Sequence, residues 1–292
     1  MFWQQIVNGV SLGAIYALIT IGYSMVYGIM KMMNFAHGDV YMFGTFLTYT
    51  LMTAFHFNIF TAVLVGLAVG AALAALVEIA AYRPLRNAPQ GRNISMITAL
   101  GAAYIIQNGE EIFWGVEARR FPSIVGGDVV SILGLSISKV QIMTLLLSVL
   151  LLVLFHFFLK YHKVGKAILC LAQDVDTSSL MGIPINRTAS IVYALGGMLG
   201  VAGGILYCSA YNVISIAMGF SGTIVAFTAA VFGGIGSLSG ALLGSLIVGL
   251  AQSLVGAYVS TTFRDVITFA ILIVLLLIRP EGLLGKRTKI KV

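Results

Sequence analysis

The chain alternates long apolar stretches with short polar ones, and most of the apolar stretches are too long for strands. Residues 4–30, 40–56, 60–82, 94–109, 140–159, 188–210 and 262–278 each read as one hydrophobic segment. Residues 222–258 hold one or two more, depending on how that stretch is divided. A helix needs about 20 apolar residues to cross a bilayer. Lipid offers no partners to backbone polar groups, so helices are the natural spanning element. The pattern predicts an all-α polytopic membrane protein, a bundle of about eight or nine transmembrane helices in one domain over residues 1–292. Strand-like alternation is not seen, which disfavours a barrel.

The interruptions carry the polar chemistry. Between the first two segments stand Asn34, His37 and Asp39, with Gly38 and Gly44 allowing a tight turn and close packing. Two readings fit: a short connector whose side chains cap helix ends, Asp39 suiting an N-terminus, or a broken helix lining a substrate path. His37 has no nearby second His or Cys, so no metal site is expected there. Gly9 and Gly13, and again Gly196, Gly200 and Gly204, recur at four-residue steps, a pattern that lets helices approach closely. Gly233, Gly234, Gly236 and Gly240 break a hydrophobic segment mid-course. Such a break is tolerated where it faces protein or a water-filled cavity; tight packing and a flexible, substrate-adjacent break are both open.

Residues 163–187 form a polar interlude of another kind. Ile168, Leu171, Ala172 and Val175 recur at helical spacing, while Lys166, Gln173, Asp174 and Thr177 occupy much of the rest. Gly182 followed by Pro184 is a helix stop. The expectation is one short amphipathic helix outside the hydrocarbon, either a plain surface connector or a docking helix for a soluble partner.

Composition agrees: 292 residues, 59% hydrophobic, 9% charged, mean hydropathy +1.01. Soluble domains carry about 25% charged residues. The net charge of +7 is clustered in a few loops, so it speaks for membrane orientation and against a nucleic-acid face. Arg83, Arg86 and Arg92, then Lys160 and Lys163, then Arg279, Lys286, Arg287, Lys289 and Lys291 are placed inside the cell. The long polar section 110–138 is then outside, and the N-terminus faces the periplasm. Glu78 near Arg83, and Arg264 with Asp265, read as interfacial charges. Cys170 and Cys208, placed at opposite ends of one span, are too far apart to bond and read as plain thiols. No basic leader with a cleavage site opens the chain, so no removable signal peptide is expected.

Four runs resemble the LivH-type permeases, the membrane subunits of bacterial ABC importers for branched-chain amino acids. They are A-Q-D at Ala172 with L-M-G-I at Leu180; M-N-F-A-H-G-D at Met33; A-V-F-G-G-I-G-S-L-S-G at Ala230; and I-R-P-E-G-L-L-G at Ile278. The resemblance implies three kinds of partner besides the bilayer: a second homologous permease, two ATP-binding cassette subunits, and a periplasmic substrate-binding protein. It implies a bacterial inner-membrane location, with ATP and Mg on the partner subunits and no cofactor or metal here. It makes residues 163–187 the cytoplasmic coupling loop, with Lys166, Ile168, Leu171, Ala172, Asp174, Val175, Met181 and Gly182 facing the ATPase. The candidates for the substrate path are Asn34, His37, Gln107, Asn108, Gly233, Gly234 and Gly236.

The chemistry that is missing narrows the choice. Gly165-Lys166 and Gly285-Lys286 lack the upstream glycine of a phosphate-cradling loop, so the energy of transport must come from another chain. No nucleophile–base set is found, so the chain is not expected to be an enzyme. Coupling to an ion gradient usually needs ionisable groups deep in the bilayer, and the charges read as lying at span ends or in loops. Permeases for urea or short amides, and an ATP-independent transporter, are the alternatives.

Overall fold

The computed structural model describes residues 2–85, 91–122, 129–132, 135–279 and 282–284. Arg86 and the C-terminal Lys286, Arg287, Lys289 and Lys291 lie outside them, and Arg92 lies among helical residues whose side chains are not described. Six helices among the described residues are long and apolar enough to cross a membrane.

One helix is the hub. In α1 (Phe2–Met30), 94% of the most apolar window is buried inside the protein, against 22% for α5 (Lys139–Tyr161). Small residues make this possible. Against α10 (Leu238–Tyr258), which runs the opposite way, a Cβ on Gly9 would stand 2.8 Å from Leu250 Cα, and one on Gly13 2.8 Å from Leu246 Cα. Helix α8 (Ile185–Tyr211) flanks α1 on another side. There a Cβ on Gly196 would meet the Gly22 carbonyl at 3.0 Å, and one on Gly200 would meet Tyr41 Cβ at 2.9 Å. One on Gly204 would reach Thr45 Oγ1 at 2.5 Å. Every glycine of the two stripes therefore faces protein, four of them at separations that a Cβ essentially never shows and Gly196 at the edge of that range.

Two helices begin inside the bundle instead of at its surface. Lys31, at φ 53°, ends α1, and residues 31–36 turn back alongside it. Helix α2 (His37–Thr53) starts where His37 Nε2 lies 3.2 Å from the Ile19 carbonyl oxygen. Ile19 is about 16 Å up the helix from Met30 at the usual rise. From the opposite end, Asn212 at φ 53° closes α8, Ile214 pairs with Arg119 in an isolated bridge, and α9 (Ala217–Gly233) begins. The first turns of α2 and α9 pass each other: a Cβ on Gly38 would overlap the Gly219 carbonyl and Thr223 Oγ1. Of the two readings open for residues 31–38, a surface connector and a broken helix, the fold departs from the first: they form a re-entrant leg whose polar groups find partners inside the protein.

Helix α3 (Ile59–Val77) continues as a π-helical turn, Glu78–Tyr82, and a 3-10 turn, Arg83–Leu85. Helix α4 (Gly91–Trp114) runs five residues beyond the expected end of its span, so Glu110 is helical and the outer polar section starts after Trp114. That section contains one departure from an all-α fold, a hairpin of β1 (Val129–Ile132) and β2 (Leu135–Ser138). Residues 123–128 and 133–134 of that section lie outside the described ones. With α2, α4 and α9 added to the six apolar spans, the last of which contains α11 (Arg264–Ile278), the described bundle has nine long helices.

The amphipathic segment 163–187 holds two short helices, α6 (Lys163–Gln173) and α7 (Val175–Leu180), not one. Asp174, at φ −154°, breaks the first and caps the second. Cys170 is exposed on α6 and Cys208 buried in α8. They lie on separate elements, not at two ends of one span, because α6 packs outside the bundle.

Candidate functional site

At the α2–α9 crossing the polar residues of the re-entrant leg are enclosed within this one chain. Asn34 Oδ1 accepts from Tyr82 OH at 2.8 Å. His37 is 2% exposed and lies edge-on to Tyr23 and Tyr41. Tyr41 OH donates to the Met218 carbonyl at 2.9 Å, tying α2 to the first turn of α9. Asp39 is buried in the first turn of α2, and a Cβ on Gly219 would stand 3.1 Å from its Oδ1. One carboxylate thus lies beside the N-terminal turns of two helices, where helix dipoles favour negative charge. Neither N-cap, Ala36 or Ile216, supplies a side-chain capping bond.

Glu110 is the second acid in the interior. It is fully buried on α4, and neither carboxylate oxygen has a hydrogen-bond partner. It lies one helical turn below Trp114, whose indole N–H donates to Thr50 Oγ1 of α2 at 2.7 Å. Glu78 is a third, fully buried but bridged to Arg83 at 2.8 Å and accepting from Ser190 Oγ at 2.7 Å. Buried carboxylates are therefore present, contrary to the sequence reading. Hydropathy places Asp39 in a connector and Glu110 past a helix end; only the fold draws both inward.

The other proposed path residues separate into two places. Asn108 is exposed on α4, with its Nδ2 donating to the Tyr104 carbonyl at 2.7 Å, and Gln107 beside it is half-buried. A Cβ on Gly101 or Gly109 of the same helix would meet nothing within 4 Å. Gly233, Gly234 and Gly236 instead form the tight turn between α9 and α10, at the end of the bundle where Met30 lies. Gly234 and Gly236 have φ of 103° and 85°, and Gly236 N donates to Ser24 Oγ at 3.2 Å. The carbonyls of Phe232 and Gly233 accept from Leu283 N and Leu284 N at 2.9 and 3.0 Å. The glycine break is occupied by the chain's own tail segment.

On α6 and α7 the apolar stripe faces inward. Ile168 and Leu171 are buried in the main core, with Ala172 and Val175 packed against it, and Ala172 lies beside Gly28 near the end of α1. What the segment offers outward is Lys166, Cys170, Asp174, Leu180, Met181 and Gly182. Leu180 and Met181 are 87% and 79% exposed. The apolar stripe expected to dock a partner is thus covered by the chain itself, while Met181 and Gly182, also expected to face the partner, lie at the exposed tip with Leu180, outside the periodic stripe. Asp174 Oδ1 accepts from Thr177 N at 2.9 Å. That backbone bond, with one from the Thr177 side chain, holds its carboxyl below the usual carboxylate range.

A family profile described as "Branched-chain amino acid transport system / permease component" matches residues 5–276. The chain is 38% identical over 297 aligned positions to the high-affinity branched-chain amino acid transport system permease protein LivH of Escherichia coli K12. That alignment covers 98% of this chain and 96% of the relative. It is 35% identical to the corresponding protein BraD of Pseudomonas aeruginosa, with the same coverage. Among solved structures, a chain of PsaBC from Streptococcus pneumoniae in complex with Fab superposes with TM-score 0.51 at 15% identity. It covers 96% of this chain and 93% of that one, a likeness of fold.

Proposed function

This chain belongs to the family of branched-chain amino acid transport permease components, and from that premise we propose how it works. It is a permease subunit of an ABC importer for branched-chain amino acids, a non-enzymatic, multi-pass membrane protein acting within a larger transporter. In our reading the complex holds a second homologous permease, two ATP-binding cassette subunits and a periplasmic binding protein, in the bacterial inner membrane. ATP and Mg²⁺ belong to the cassette subunits.

The α6–α7 rod is the coupling element. Its inner face is sealed to the bundle beside the end of α1, and its tip presents Leu180 and Met181. Two large apolar side chains exposed outside the spans need a cover, and a groove on a cassette subunit supplies one. That exposure carries the proposal. Closure of the cassettes on ATP would push the rod and, through Ala172 and Gly28, the central helix. The α2–α9 crossing joins elements from opposite ends of the bundle at its middle, where alternating access would turn. The α4 face bearing Gly101, Asn108 and Gly109 turns toward the second permease, with Gln107 and Asn108 at the path between them.

The test is uptake of labelled leucine by proteoliposomes holding the complete transporter. Uptake should require enclosed ATP. Uptake by the permeases alone, driven by an ion gradient, would replace this reading with the ATP-independent one.

A further inference from the structure

At the Phe2 end of the bundle lies a polar cavity of about 240 Å³, between α1, α5, α8 and α10. Its lining includes Asn8, Ser11, Gln141, Thr144, Ser253 and Arg264. A smaller cavity of about 80 Å³ shares Leu12 and Arg264 with it and continues toward Tyr41 and the first turn of α9. Most polar groups around these spaces are engaged. Gln141 Nε2 donates to Asn8 Oδ1 at 3.0 Å, Ser253 Oγ to the Gln5 carbonyl at 2.9 Å, Tyr16 OH to Gln252 Oε1 at 2.7 Å, and Gln252 Nε2 to Thr268 Oγ1 at 2.6 Å.

Arg264 is the exception. Its guanidinium occupies the room left by the missing side chain of Gly256 on α10; a Cβ there would overlap Nε. That Nε is buried and has no hydrogen-bond partner. No carboxylate lines either cavity among the described residues, and the Glu78–Arg83 ion pair is at the other end of the bundle. A guanidinium keeps its charge at any working pH, and a cation drawn out of water needs an anion beside it. Among the described side chains the site has the cation, the space and the neutral donors, and no anion; the side chain of Asp265 lies outside the described ones.

We propose that Arg264 is the seat of an oxyanion-binding site, taking a carboxylate or phosphate group from outside the chain. Two sources share that chemistry: the carboxylate of an amino acid entering from this end, and the phosphate of an anionic phospholipid. The site stands on the cavity and on the buried Nε of Arg264 that has no hydrogen-bond partner, and does not depend on the transport reading.

The experiment uses the full-length chain in nanodiscs, as wild type, Arg264→Gln and Gly256→Ala. The second variant keeps the arginine but fills its seat. In phosphatidylcholine discs containing phosphatidylglycerol, native mass spectrometry reads lipid retained by the released protein. In phosphatidylcholine discs alone, scintillation proximity reads labelled leucine, with isoamylamine as the competitor that lacks a carboxylate. Either retention of phosphatidylglycerol or binding of leucine should fall about ten-fold or more in both variants, and isoamylamine should not compete. The ligand that responds identifies the source. If wild type takes up neither, or if binding is unchanged in Gly256→Ala and Arg264→Gln, the site does not exist as described. Because both readouts are binding, failure here leaves the ATP-dependent uptake test untouched.

Discussion

The Asp39 carboxylate lies against the backbone of Gly219, where a Cβ would come within 3.1 Å of Oδ1. The contact joins the first turns of two helices that enter the bundle from opposite ends. It leaves no room for side chains and puts one carboxyl group beside two partially positive helix ends.

Gly38→Ala should disrupt this crossing. The new methyl would overlap the Gly219 carbonyl and Thr223 Oγ1, and backbone cannot yield as a flexible side chain can. Overpacking of this kind costs about 1–3 kcal/mol. The expected result is a lowered melting temperature in detergent, with leucine uptake falling too; an unchanged melting temperature would mean that the helices do not approach this closely.

Glu110→Met should stabilise the protein. It removes a buried carboxyl whose two oxygens lack partners and keeps similar length. Leaving such a group unsatisfied costs about 1–3 kcal/mol, so the unfolding midpoint in mild denaturant should rise. A drop would show that the carboxyl has a stabilising partner after all.

On the coupling segment, two substitutions should separate packing from docking. Leu180→Asp with Met181→Asp alters only the exposed tip; co-purification of the cassette subunits should be lost while the thermal stability of the permease holds. Leu171→Asp puts a charge into the core and should lower stability itself, by the roughly 3–5 kcal/mol of large core disruptions. Retention of the cassettes by the double variant would refute the tip as the contact.

The α6–α7 corner should be sensitive to acid only at low pH. Asp174 has its carboxyl held below the ordinary value by Thr177, so its capping contribution is complete above the unfolded value of about 3.9. It is lost as pH falls from there through the depressed folded value. Hydrogen exchange at the Thr177 amide should stay slow from neutrality to about pH 5, and Asp174→Ala should speed it at neutral pH. Equal exchange in the variant and the parent would remove the cap from the account.

The sequence by itself determined the class of protein, the spans, the glycine stripes and the place of the amphipathic segment between α5 and α8. These are local signals: twenty apolar residues need lipid whatever their neighbours, and Gly9, Gly13, Gly196, Gly200 and Gly204 mark close approach by spacing alone. Tertiary structure alone decided that residues 31–36 fold back inside, which carries Asn34, His37 and Asp39 to the middle of the bundle. It also decided that Glu110 is enclosed, that Ile168 and Leu171 are covered by their own chain, and that Arg264 rests in the gap at Gly256. The physical reason is that in a membrane both lipid and protein interior are apolar, so hydropathy reports distance from water but not which neighbour a side chain meets.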